Sequence, residues 1–242
     1  MFTTEHFLWI GICAVWIGAL TVLSRKLRFS FRTAALVMAA ISFVSETAKI
    51  LTHMEFVNCV GASDGMVLDA ASLPLHLCSL LIFVFFYLPF AREGRWKDCL
   101  LSLCVPVGIL GSLLAILMAT SGTDFAKPYA YQCFLYHAGM LWFAIYLIQT
   151  GQVQLGLRAW LRNIGLLFSL AVCMIWVNSL LQVYDTNFWY VVRPPMDGLP
   201  LIHLENGWFA YFGTLLMLGF LGVTAVHLPF MLRERKGQSA AS

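Results

Sequence analysis

Apolar runs long enough to cross a bilayer recur seven times along the chain, and polar positions collect between them. A spanning helix needs about 20 residues. The runs are Phe7 to Leu23, Thr33 to His53, Leu73 to Phe90, Cys99 to Met118, Tyr129 to Gln149, Asn163 to Val183, and Trp208 to Phe230. The pattern predicts an all-α membrane protein, a seven-helix bundle forming one domain over residues 1–232 with a short disordered tail over 233–242. Two segments interrupt it. Glu55 to Ser72 and Tyr184 to Gly207 are rich in Gly, Pro and Asp, have no apolar period, and read as irregular caps.

Composition agrees with the spans. Of 242 residues, 60% are apolar and 11% charged, where a soluble domain carries about 25% charged residues. No Lys or Arg precedes the first run and no small-residue cleavage site follows it, so that run is expected to stay as a helix. Trp189 and Trp208 fit one interfacial belt and Trp96 the other.

Charge sets an expected orientation. Twelve of the fifteen Lys and Arg lie in the first, third and fifth loops and the tail. The opposite loops hold only Lys127 and Arg193, and Lys49 is within a span. The positive-inside rule then predicts the N-terminus outside and the C-terminus inside. The net charge of +3 reflects that orientation and no nucleic-acid partner.

Against this background the intramembrane polar residues stand out. Glu46, Lys49, His53, His76, Cys78, His137, Asn178 and Gln182 lie on four runs and, by the expected topology, at similar depth near the outer face. Ionisable groups in hydrocarbon are costly and usually functional. The inner halves hold no such group apart from His227. An outward-facing polar pocket is expected, not a path across.

Glu46, Lys49 and His53 share one helical face, with Ser42 one turn earlier. An internal Glu46–Lys49 ion pair is as good a reading as a substrate contact. In Leu73-Pro74-Leu75-His76-Leu77-Cys78, Pro74 suits a helix start. That places Cys78 just beyond the first turn, roughly 7 Å deep. His76 and Cys78 are two apart and point to different sides of a regular helix. A base for the thiol should therefore come from another helix, and His137 is the candidate. A thiol activated by an imidazole is a nucleophile for acyl transfer. The alternative is that His137 ties helices together. Asn178 and Gln182 can serve a head group or an oxyanion, or helix packing. Cys133 and His137 share a face, yet the spacing matches no zinc pattern, so no metal is expected. Cys59 and Cys133 both lie near the outer face, as two thiols or as one disulfide.

Several of these segments carry a resemblance. Leu73-Pro74-Leu75-His76-Leu77-Cys78 resembles the LPL-x-LC signature of the YwaF-like integral membrane proteins. Tyr136-His137, Asn187-Phe188-Trp189-Tyr190 with Pro194, and Leu228-Pro229-Phe230 follow in the family's order. The family is distantly related to the transmembrane protein 164 acyltransferases, which move acyl chains between glycerophospholipids. The resemblance implies a bacterial cytoplasmic (inner) membrane location, an intramembrane cysteine nucleophile matching Cys78, and membrane lipids as partners. His76 stands where relatives often have Gln, which leaves Cys78 and His137 as the catalytic pair.

The reading that follows is lipid acyl transfer or acyl-ester cleavage. Cys78 and His137 would be catalytic, with Glu46, Lys49, His76, Asn178 and Gln182 on the substrate side and no cofactor. The rival is a lipid or small-molecule binding or transport protein without catalysis.

Overall fold

Pro128–Gln149 forms helix α5, the most enclosed of the long apolar helices. The computed structural model describes residues 3–57, 65–119, 122–196, 198–199 and 201–239. Around α5 stand α1 (Thr4–Lys26), α2 (Phe31–His53) and α4 (Arg95–Met118). The short α3 (Leu77–Tyr87) lies against α2 and α4. Helices α6 (Leu157–Leu180) and α7 (Trp208–Ser239) pair with each other and both touch α4. The chain is a multi-pass membrane protein: six of these helices are long and apolar enough to cross a bilayer.

Small residues let α5 sit so deep. A Cβ on Gly139 would lie 3.1 Å from Ile41 Cγ2, and one on Gly108 would lie 3.1 Å from the Met140 carbonyl oxygen. Helices α2 and α4 thus approach α5 closely at two heights. Trp142, Phe143 and Met140 of α5 belong to the main core, and Phe134 stacks on Trp9 of α1 at 4.8 Å. His137 is carried on this rigid central helix.

The third predicted span departs from expectation. Residues 73–76 are not helical. Leu73 is extended (φ −55°, ψ 147°), as a residue before proline tends to be. The Leu75 carbonyl accepts from the Trp189 indole at 2.9 Å instead of starting a helical ladder. The helix begins only after His76, its extended N-cap, and a 3₁₀ turn at Leu88–Phe90 ends it. The resulting 14 residues, Leu77–Phe90, reach roughly 20 Å, short of the about 30 Å hydrocarbon layer. Cys78 accordingly occupies the first turn of α3, not the second.

Other differences are local. The cap after α2 contains a two-stranded antiparallel ribbon, β1 (Met54–Val57) with β2 (Gly65–Leu68), where an irregular loop was expected. The expected disordered tail is helical through Ser239, and residues 240–242 lie outside the described set. Trp189 and Trp208 are half-buried, and their indoles are tied to the backbone. Their indoles donate to the carbonyls of Leu75 and Val191, both at 2.9 Å, while Trp96 is 79% exposed.

At the end carrying the basic loops, a buried polar knot ties α4, α6 and α7. Pro106 lacks an N–H, so the Ser102 carbonyl has no helical donor. The Asn163 side-chain amide donates to it at 2.8 Å. The same amide lies 3.2 Å from His227 Nε2, and His227 Nδ1 lies 2.9 Å from the Leu155 carbonyl. Since a carbonyl only accepts, Nδ1 carries the proton and Nε2 accepts from Asn163. His227, read from sequence as a lone terminal histidine, is a member of this tie.

Candidate functional site

Cys78 is half-buried in the first turn of α3. Backbone N–H groups in that turn have no partner within their own helix. Its thiol interacts electrostatically with the His137 imidazole across the α3–α5 contact, and the Ser79 hydroxyl and backbone N–H act on it from its own helix. His137 is 7% exposed. Its Nδ1 lies 2.7 Å from the Cys133 carbonyl, one turn back on α5. That carbonyl fixes the neutral tautomer with the proton on Nδ1, which leaves Nε2 as the basic nitrogen. The Cys133 thiol also approaches Nδ1, at 3.7 Å. A thiol, an imidazole and a tautomer-fixing acceptor therefore stand together, drawn from α3 and α5.

Tyr136 joins this pair to α2. Its hydroxyl donates to the Cys78 carbonyl at 2.8 Å. It also meets the Ser42 hydroxyl, which itself donates to the Met38 carbonyl at 2.8 Å. One turn further along α2, Lys49 Nζ lies 2.7 Å from Glu46 Oε1, with side chains only 13% and 16% exposed. Both face the bundle. The contact is an ion pair of poor alignment, because both Glu46 oxygens are buried and neither makes a directed hydrogen bond. Glu46 acts electrostatically on Tyr136, and Lys49 on His76. Nearby, Gln132 donates to Ser45 at 2.8 Å, a second cross-link between α5 and α2.

The segment after α6 closes over this end of the bundle. Asn178 uses all its polar atoms there. Its amide donates to the Met174 and Phe188 carbonyls at 2.7 and 3.1 Å, and its oxygen accepts from the Phe188 N–H at 2.8 Å. The Phe188 ring is fully buried and meets the His76 ring edge-on at 5.2 Å. Trp189 and Tyr190 follow with φ of 59° and 54°, left-handed values costly for bulky residues. Three bonds hold them: the Asn178 clamp, the Trp189 indole on Leu75, and the Tyr211 hydroxyl donating to the Tyr190 carbonyl. Gln182 falls outside α6, in a 3₁₀ turn at Gln182–Tyr184, and is exposed.

The structure thus brings Cys78, His137, Glu46, Lys49 and His76 to one end of the bundle and leaves Gln182 at its surface. Asn178 contacts the cap. Tyr136, Ser42, Ser45 and Gln132 are the additions. Ser42 shares a face with Glu46 and Lys49, a signal present in the spacing. Tyr136 gives none, because its role depends on a carbonyl two helices away. Two cavities of about 500 and 250 Å³ among the described residues are lined by other side chains. No group of three or more metal-ligating side chains occurs among the described residues. Cys59 and the side chain of His53 lie outside them.

The model of the TMEM164 family matches residues 1–225. The chain belongs to the TMEM164 family. Searches of curated proteins and of solved structures find no match. The matched span runs from α1 into α7 and takes in every residue of the candidate site. This TMEM164-family protein therefore carries its thiol–imidazole pair inside the shared region, not in an appended segment.

Proposed function

We propose that this protein is a lipid acyltransferase that uses Cys78 as nucleophile and His137 as general base. The single observation that carries the reading is the electrostatic contact of the Cys78 thiol with an imidazole whose Nδ1 is held by the Cys133 carbonyl. The site faces the outer leaflet in this reading, as the basic loops at the other end require.

The chemistry follows from the geometry. His137 Nε2 takes the thiol proton as sulfur attacks the ester carbonyl of a donor lipid. Backbone N–H groups in the first turn of α3, near the thiol, supply donors for the oxyanion. Collapse breaks the ester C–O bond. The imidazolium proton goes to the departing lysolipid oxygen, leaving an acyl thioester on Cys78. An acceptor lipid hydroxyl then gives its proton to Nε2 and attacks the thioester, forming the new ester and restoring the thiol. Water in place of that hydroxyl would give net hydrolysis. Glu46, Lys49 and His76 line the approach and orient polar groups of the donor or acceptor, while Asn178 holds the cap above them.

One observation favours a rival, a binding protein without turnover: Glu46 Oε1 is paired with Lys49, but Oε2 is buried without a hydrogen bond, as a site awaiting a ligand's donor would be. The separating experiment is purified protein in liposomes with an isotope-labelled acyl donor lipid, wild type against Cys78→Ala. Labelled acyl chain on a second lipid, absent with the variant, supports the transferase. Unchanged lipids in both, with lipid still bound, support the rival.

A further inference from the structure

The end of the bundle opposite Cys78 contains a cavity of about 250 Å³ between the end of α1, the α1–α2 turn and the end of α5. At about 30 Å³ per water it has room for a group much larger than one solvent molecule. Phe29 and Tyr146 are its more buried walls, and Arg25, Arg28, Gln149 and Thr150 its exposed ones.

Arg25 and Arg28 are its charged lining residues. The hydroxyls nearby are already committed: Ser24 donates to the Thr21 carbonyl at 3.0 Å, Tyr146 to Phe29 at 3.0 Å, and Thr150 to Tyr146 at 2.8 Å. Neither Arg25 nor Arg28 is in ion-pair distance of a carboxylate among the described residues. The backbone adds a second sign. Phe29 N–H bonds back to the Ser24 carbonyl at 2.9 Å, and Arg28 N–H to the Arg25 carbonyl at 3.2 Å. This is the Schellman ending of α1, with Arg28 at the left-handed position (φ 48°) that glycine fills most cheaply. Arg28 thus lines the cavity from a backbone conformation that costs a non-glycine residue strain.

We propose that this cavity binds the phosphate of an anionic phospholipid, clamped by Arg25 and Arg28. Guanidinium presents paired donors to phosphate oxygens, and its charge does not titrate away. The cavity sits at the end of long apolar helices, the depth of lipid headgroups, and on the side of the bundle where the basic loops gather. The carbonyl ends of α1 and α5 oppose an anion with about half a charge each. Two full positive charges outweigh them. A soluble phosphate offers the same chemistry, so the test separates the two. The inference does not rest on the reading of Cys78.

The full-length protein in neutral detergent is unfolded thermally with added phosphatidylglycerol, with phosphatidylcholine, or with millimolar inorganic phosphate. The variants are Arg28→Gly, Arg25→Gln and, as a charge-matched control outside the cavity, Lys26→Gln. Arg28→Gly relieves the backbone and removes the guanidinium, so its lipid-free Tm should equal or exceed wild type. Phosphatidylglycerol should raise the Tm of wild type and Lys26→Gln by several degrees. Arg28→Gly and Arg25→Gln should lose at least half of that rise. Phosphatidylcholine should give little. Equal rises in all four proteins, or none in wild type, would overturn the site. An equal rise from inorganic phosphate would overturn the lipid and leave a soluble anion.

Discussion

The hydroxyl of Tyr136 donates to the backbone carbonyl of Cys78 at 2.8 Å, fixing the first turn of α3 against α5 one residue away from His137. That bond sets the height of the thiol relative to the imidazole. Tyr136→Phe keeps the ring and removes only the donor. A single net hydrogen bond contributes about 1 kcal/mol, so the fold should survive. We expect turnover to fall several-fold with KM nearly unchanged, and the rate of Cys78 alkylation by a membrane-permeant maleimide to fall with it. Unchanged turnover and alkylation would mean that Tyr136 only packs.

Asn178 and Gln182 should behave differently, although four-residue spacing put them on one helical face. Asn178→Ala leaves the buried Phe188 N–H without its partner, while the Phe188 carbonyl keeps only the Val191 N–H at 3.4 Å. Each unsatisfied buried group costs about 1–3 kcal/mol, so thermal stability should drop clearly and the cap should become accessible to protease. Gln182→Ala at the exposed 3₁₀ turn should change neither. A stable Asn178→Ala protein with altered lipid selectivity would instead return Asn178 to the substrate side.

Most of the fold was legible because hydrophobic length is nearly the whole code for a membrane helix. The third span was the exception. Apolarity runs from Leu73 through Phe90, yet Pro74 and the Trp189–Leu75 hydrogen bond delay the helix to Leu77. Composition cannot register a contact made across 114 residues. The site was half legible for the same reason. Glu46 and Lys49 announce themselves by cost in an apolar run, and His137 by being a lone imidazole. Tyr136 looks like any core aromatic until the Cys78 carbonyl is in view. Asn163 likewise looks like a polar residue at a helix end until Pro106 shows which carbonyl needs it.

The Glu46–Lys49 pair should obey the arithmetic of buried charges. Removing one partner leaves the other uncompensated, a penalty of about 3–5 kcal/mol for a fully buried pair, reduced here by the 13% and 16% exposure of the side chains. Glu46→Gln and Lys49→Met should each lower thermal stability more than the double variant. A double variant no better than the worse single one would show that the two charges serve separate ligand contacts.

Orientation has its own test. Single cysteines introduced in the Glu55 to Ser72 segment should react with impermeant maleimide from outside intact cells, and those at Arg92 to Glu93 only after permeabilisation. The expectation rests on the twelve-to-two division of loop cations. The reverse pattern would move Cys78 to the inner leaflet and the Arg25–Arg28 cavity to the outer one, without altering either geometry.

The chemistry is tested at the thiol. Cys78→Ser preserves size but replaces sulfur by a hydroxyl that is far less ionised, so turnover should all but vanish while the fold persists. His137→Ala removes the base, a loss of about 100-fold or more. It should slow thioester formation more than lipid binding. Cys13→Ala and Cys173→Ala should have little effect: Cys13 is buried with its thiol on the Phe134 carbonyl at 3.6 Å, and Cys173 is exposed on α6. An activated acyl lipid should leave a thioester on Cys78 that hydroxylamine releases. The proximity of Cys133 to His137, at 3.7 Å, makes Cys133→Ala the decisive companion. Its adduct should still form, because the Nδ1 anchor is the Cys133 backbone carbonyl, which alanine retains. Loss of the adduct in Cys133→Ala, with its survival in Cys78→Ser, would transfer the nucleophile's role from α3 to α5.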